Sequence, residues 1–130
     1  MNARLQAFHF VVDYAVGILL LVGPWLFGFS ESFTAMGVTV AFGAALIANA
    51  ACAADRRLTQ RFPFSTHLLL EVAGGGLLIG APWIFGFSTT SWVPHVVIGI
   101  VVAVRGLLCL AATATSSLMS GKSNPIEARP

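Results

Sequence analysis

Gly-Pro-Trp-Leu-Phe-Gly-Phe-Ser at residues 23–30 returns as Ala-Pro-Trp-Ile-Phe-Gly-Phe-Ser at residues 81–88. With the chain displaced by 58 residues, His9–Ser30 lies over His67–Ser88, and eleven of the 22 positions are identical. Asp13 over Glu71 keeps the charge, and His9 over His67 keeps the imidazole. Agreement this dense marks an internal duplication. Each octapeptide closes an apolar run with a helix-bending Pro and a turn-forming Gly. A unit therefore reads as one helix, a tight reversal and a second helix.

Outside the repeated stretch the chain is of one kind. Of its 130 residues 57% are hydrophobic and 9% charged, where soluble domains carry about 25% charged residues. This balance excludes a disordered chain, a nucleic-acid module and a secreted disulfide scaffold. Crossing a bilayer takes about 20 apolar residues, and four runs are long enough. They extend from about Phe8 to Phe29, Ser32 to Ala54, Ser65 to Phe87 and Trp92 to Thr115. The expected fold is an all-α membrane protein of four transmembrane helices in a single domain over residues 1–130. Repeat 1 covers about 8–54, a polar linker 55–64, repeat 2 about 65–115 and a polar tail 116–130. A unit that crosses the membrane twice keeps its orientation when duplicated. The repeats are thus parallel hairpins, related by a pseudo-twofold axis along the membrane normal.

The two Pro-Trp-x-Phe-Gly-Phe-Ser segments resemble those of the SPW repeat family, small bacterial and archaeal membrane proteins with a Ser-Pro-Trp motif in each two-helix unit. Gly23 and Ala81 stand where the family has its Ser. The resemblance spans nearly the whole chain and implies architecture; it carries over no catalytic residue.

Arg4, then Arg56, Arg57 and Arg61, then Lys122 and Arg129 flank the spans on one side, and neither hairpin loop holds Lys or Arg. By the positive-inside rule both termini and the linker are cytoplasmic, in a cytoplasmic (inner) membrane. Pro24 and Pro82 bend or end spans one and three. Trp25, Phe27 and Phe29, with Trp83, Phe85 and Phe87, form an aromatic belt at headgroup depth, and Gly28 and Gly86 allow the reversal. Small residues at Gly76 and Gly80, and at Ala44 and Ala48, are the candidates for close helix packing, within the chain or between subunits.

Three ionisable residues fall inside spans: Asp13, Glu71 and Arg105. Charges at such depth are costly unless paired, so Arg105 is expected to bridge to Asp13 or Glu71. Matching Cys52 to Cys109 sets Arg105 over Ala48, which leaves it without a polar repeat mate. His9 and His67 each lie four residues before an acid, on one helix face with it. Near the outer surface, His95 is expected to be solvated. His9, His67, Cys52 and Cys109 could form a Cys2His2 metal site, or the two His could hold haem iron, but no spacing demands either. No metal or other cofactor is therefore expected. Nucleophile-elbow, phosphate-loop, zinc-protease and dinucleotide-binding patterns are all missing, so an enzyme is not expected.

Three functional readings follow. The first is a non-enzymatic structural or accessory subunit, in contact with the lipid bilayer and with other membrane subunits or copies of itself, and with no nucleic acid. The second is a small oligomeric transporter or channel that uses Asp13, Glu71 and Arg105. The third is a haem- or metal-binding membrane subunit.

Overall fold

The computed structural model describes residues 3–55 and 63–122. Four helices follow one another: α1 (Ala3–Leu26), α2 (Phe33–Ala54), α3 (Phe64–Ile84) and α4 (Ser88–Lys122). Each contains a stretch long and apolar enough to cross a membrane, and there is no strand among the described residues. The protein is an all-α, multi-pass membrane protein. Arg56, Arg57, Arg61 and Arg129, which carry much of the charge asymmetry, lie outside the described residues, as do most of the linker and the end of the tail.

The repeated octapeptide is a helix stop. Phe29 N–H reaches back to the Pro24 carbonyl at 2.9 Å, and Phe87 N–H to that of Pro82 at 2.8 Å. Gly28 (φ 72°) and Gly86 (φ 74°) supply the left-handed residue between them. This is the six-to-one bond and αL glycine of a Schellman end. On the far side of the first turn, the Ser32 hydroxyl accepts from Ala35 N–H and caps α2. The second turn differs. Ser91 breaks the helical geometry of α4, which places Pro94 in the first turn of the long segment, where a missing N–H is tolerated.

The tail expected from residue 116 starts instead as helix. Thr113, Thr115, Ser116 and Ser117 donate their hydroxyls to carbonyls three or four residues earlier in their own helix, and α4 runs on to Lys122.

Within each hairpin the helices approach at glycine. A Cβ on Gly43 would lie 2.8 Å from the Gly17 oxygen, and one on Gly99 would lie 2.8 Å from that of Gly75. These pairs show that the first helices correspond at 58 residues and the second helices at 56, because the second turn is two residues shorter. With that register the core divides into layers around the pseudo-twofold axis. Leu20 and Leu78, with Leu46 and Val102, fill the middle. Phe29 and Phe87, with Ala35 and Ala81, fill the hairpin end.

Gly76, Gly80, Ala44 and Ala48 are not the packing residues inside the molecule. A side chain on Gly76 would meet nothing within 4 Å, one on Gly80 would meet only Ile84 of its own helix, and Ala44 and Ala48 are exposed. Their i, i+4 spacing defines a face, and that face points away from the neighbouring helix.

Candidate functional site

At the terminus end of the bundle the axis passes through the repeat-mated pairs His9/His67 and Asp13/Glu71. All four side chains are buried, with Asp13 at 0% and Glu71 at 1% exposure. The Nε2 atom of His9 lies 3.0 Å from Glu71 Oε1 and 3.6 Å from Asp13 Oδ2. That of His67 lies 2.9 Å from Glu71 Oε1 and 3.2 Å from Asp13 Oδ2. Each imidazole thus faces the acid of its own repeat and the acid of the other. Helical spacing of four residues supplies the first contact, and the twofold packing of α1 against α3 supplies the second.

Arg105 from α4 closes the ring. Its NH2 group pairs with Asp13 Oδ1 and lies 3.1 Å from Glu71 Oε1, while NH1 donates to the His9 carbonyl at 3.3 Å. Both acids are therefore its partners. In the register of the fold its counterpart is Asn49 and not Ala48: Asn49 Nδ2 donates to the His67 carbonyl, also at 3.3 Å. The two second helices thus make the same bond to the opposite repeat, and only Arg105 adds charge. The Cys52–Cys109 match misses this relation by one residue, since it is not the cysteines but the close-approach glycines that coincide.

Phe10 and Phe64 lie against the imidazoles: Phe10 is edge-on to His9 at 6.4 Å and to His67 at 5.6 Å, and Phe64 is edge-on to His9 at 5.7 Å and tilted on His67 at 5.5 Å. They cover the site on its terminus side. Cys109 Sγ lies 3.6 Å from His9 Nδ1, whereas Cys52 is exposed on α2 and has no place in the cluster. The ligand-type set assembled by the structure is His9, Asp13, His67 and Glu71, in place of two His and two Cys.

A second polar pair occupies the axis at the hairpin end. His95 is not solvated: it is 1% exposed, and Phe29 and Phe87 lie against its ring at 5.4 and 4.8 Å. Nδ1 lies 2.6 Å from the Ser91 carbonyl, to which it donates, and Nε2 lies 2.8 Å from the Thr39 hydroxyl, whose single proton is shared with the Ala35 carbonyl at 2.6 Å. Thr39 and His95 are repeat mates at the 56-residue spacing. Phe29 and Phe87 consequently do not belong to the aromatic belt, being only 3% exposed; Trp25, Phe27, Trp83 and Phe85 do face outward.

Thr39 and Asn49 are polar residues that the sequence reading passes over, and His95 is one that it places in solvent. The signal that finds them is the Gly43/Gly99 match, which brings Thr39 over His95 and Asn49 over Arg105 at once.

These features define a class: a four-span membrane protein of two parallel, duplicated hairpins joined by a buried polar seam. The SPW repeat domain matches residues 7–109, and the chain belongs to that family. No curated protein and no solved structure matches it.

Proposed function

We propose that this protein is a non-enzymatic structural or accessory subunit of a membrane assembly, which packs laterally against another subunit through α2 and α3. The observation that carries this reading is a groove of about 220 Å³ between those helices, lined by Leu20, Phe42, Ala45, Asn49, Leu70 and Gly74 among others. On the opposite side of the pseudo-twofold axis, Val101 stands where Ala45 does and Val16 where Gly74 does. At these two positions the groove side carries the smaller residue. Small residues let a neighbouring helix backbone approach closely, and that is what drives association where lipid offers no hydrophobic gain. Ala44 and Ala48, also on α2, are small as well and exposed.

The placement of Lys and Arg supports a cytoplasmic membrane, bacterial or archaeal, with both termini inside. A photo-crosslinking side chain at Ala45 tests the packing reading in native membranes. It should yield a discrete protein adduct that the same group at Val101 does not give; adducts with lipid alone would overturn the reading.

The convergence of Asp13, Glu71 and Arg105 inside the bilayer favours a second reading, an oligomeric transporter or channel. Asp13→Asn combined with Glu71→Gln should then abolish flux in liposomes with assembly intact, and flux that survives the change ends that reading.

A further inference from the structure

We propose that His9, Asp13, His67 and Glu71 form a binding site for one first-row divalent transition-metal ion, of the zinc, iron or manganese type, which joins the two repeats on their pseudo-twofold axis. This goes beyond the packing role and is independent of it, since an ion here lies between hairpins of one chain.

Geometry is the first argument. The four ligand atoms lie within 4.8 Å of one another, and the successive N···O separations around the ring are 3.0, 2.9, 3.2 and 3.6 Å. Four N and O ligands that share one ion tetrahedrally with bonds of about 2.0–2.1 Å stand about 3.3–3.4 Å apart in every pair, so the His–acid contacts are close to that spacing and any pair wider than about 4.2 Å must draw in on binding. Two imidazoles and two carboxylates are, moreover, a donor set suited to this class of ion.

Proton counting is the second argument. His67 Nε2 lies 2.9 Å from one carboxylate oxygen and 3.2 Å from another, yet makes no hydrogen bond of acceptable geometry among the described residues. Asp13 Oδ2 is likewise buried and without a partner there. These are two buried polar atoms without a hydrogen bond of acceptable geometry among the described residues, whereas buried polar atoms are almost always paired. An ion at the centre of the ring satisfies both atoms. Glu71 Oε2, also without a partner, is a further oxygen for coordination.

The surroundings have the form of an outer shell. Arg105 holds Asp13 by Oδ1, which leaves Oδ2 turned to the ring, and Asn49 and Arg105 tie the backbone at His67 and His9. Such contacts fix ligand orientation in metal sites.

The full-length protein, prepared without a polyhistidine tag and stripped with a chelator, is titrated with Co²⁺ while its visible absorption is followed. The proposal predicts a ligand-field spectrum that saturates at one ion per chain, with Zn²⁺ displacing it and raising the melting temperature. His67→Gln and Asp13→Asn should weaken binding by about 100-fold or more, and Arg105→Met by about 10–100-fold. Cys52→Ser should leave it unchanged. A helical, monodisperse wild type that gives no spectrum would overturn the proposal, and this needs no variant to fold. So would a spectrum that persists unaltered in folded His67→Gln and Asp13→Asn, and in that case the packing role would stand untouched. Exchange of a single proton among the four groups would then account for the ring.

Discussion

His95 and Thr39 show how a single residue pair carries more than its position suggests. Both ring nitrogens have a polar neighbour in an apolar layer, the Ser91 carbonyl and the Thr39 hydroxyl, so removing the hydroxyl leaves Nε2 buried and unpaired. Thr39→Val should therefore cost about 1–3 kcal/mol, measured by reversible denaturation in micelles, while Thr39→Ser should retain most of the stability. Gly28 and Gly86 isolate a different effect. Both have positive φ and open space where a Cβ would go, so Gly28→Ala and Gly86→Ala should each cost about 1–2 kcal/mol of backbone strain and nothing in packing. Near-equal values in the same denaturation assay would reflect the equivalence of the two turns. At this scale the sequence was partly legible. Identity at 58 residues exposes His9, His67, Asp13 and Glu71 as mates, but Thr39 and His95 share no chemistry that a comparison by identity could detect. Phe29 and Phe27 are the same residue type two positions apart, and only the left-handed Gly28 between them turns one inward and the other out.

Among the helices, what separates the glycines is the backbone that faces them. A Cβ on Gly75 would come within 2.7 Å of the Ala103 nitrogen and the Gly99 oxygen, which cannot rotate away, whereas one on Gly76 would meet nothing. Gly75→Val should force α3 from α4 and destabilise by several kcal/mol, as overpacking of a close contact does. Gly76→Val should stay within about 0.5 kcal/mol of the parent, as exposed substitutions do. Thermal melts of the two variants check the contrast. The sequence displays Gly74, Gly75 and Gly76 as a run, and spacing alone cannot say which of them faces a neighbour; that depends on how α3 rotates to bury Glu71 and Leu78. The helices themselves were legible because apolar length and the Pro-Trp-x-Phe-Gly stop set their limits. The end of α4 was not, because Ser and Thr read as a polar end whereas their hydroxyls here bond within the helix and do not interrupt it.

The whole molecule is a twofold object whose mirrored faces have diverged. The axis holds a polar layer at each end and an aliphatic layer between them, and the periphery is apolar. The duplication and the four spans could be read from the chain, but the seam could not. Its second-helix members align only after a two-residue shortening of the turn, and the close glycine contacts that reveal this exist only in three dimensions. Orientation can be tested directly in a chain carrying Cys52→Ser and Cys109→Ser. A membrane-impermeant maleimide should label Glu31→Cys from outside intact spheroplasts, and Lys122→Cys only after lysis.

Lateral assembly is the central claim, and the native mass of the particle extracted from its own membrane in mild detergent tests it most directly. The account predicts a discrete complex well above the 13.7 kDa of one chain, which falls to the single chain when Ala45→Phe fills the groove between α2 and α3. A homogeneous particle of one chain, unchanged by Ala45→Phe, would contradict it.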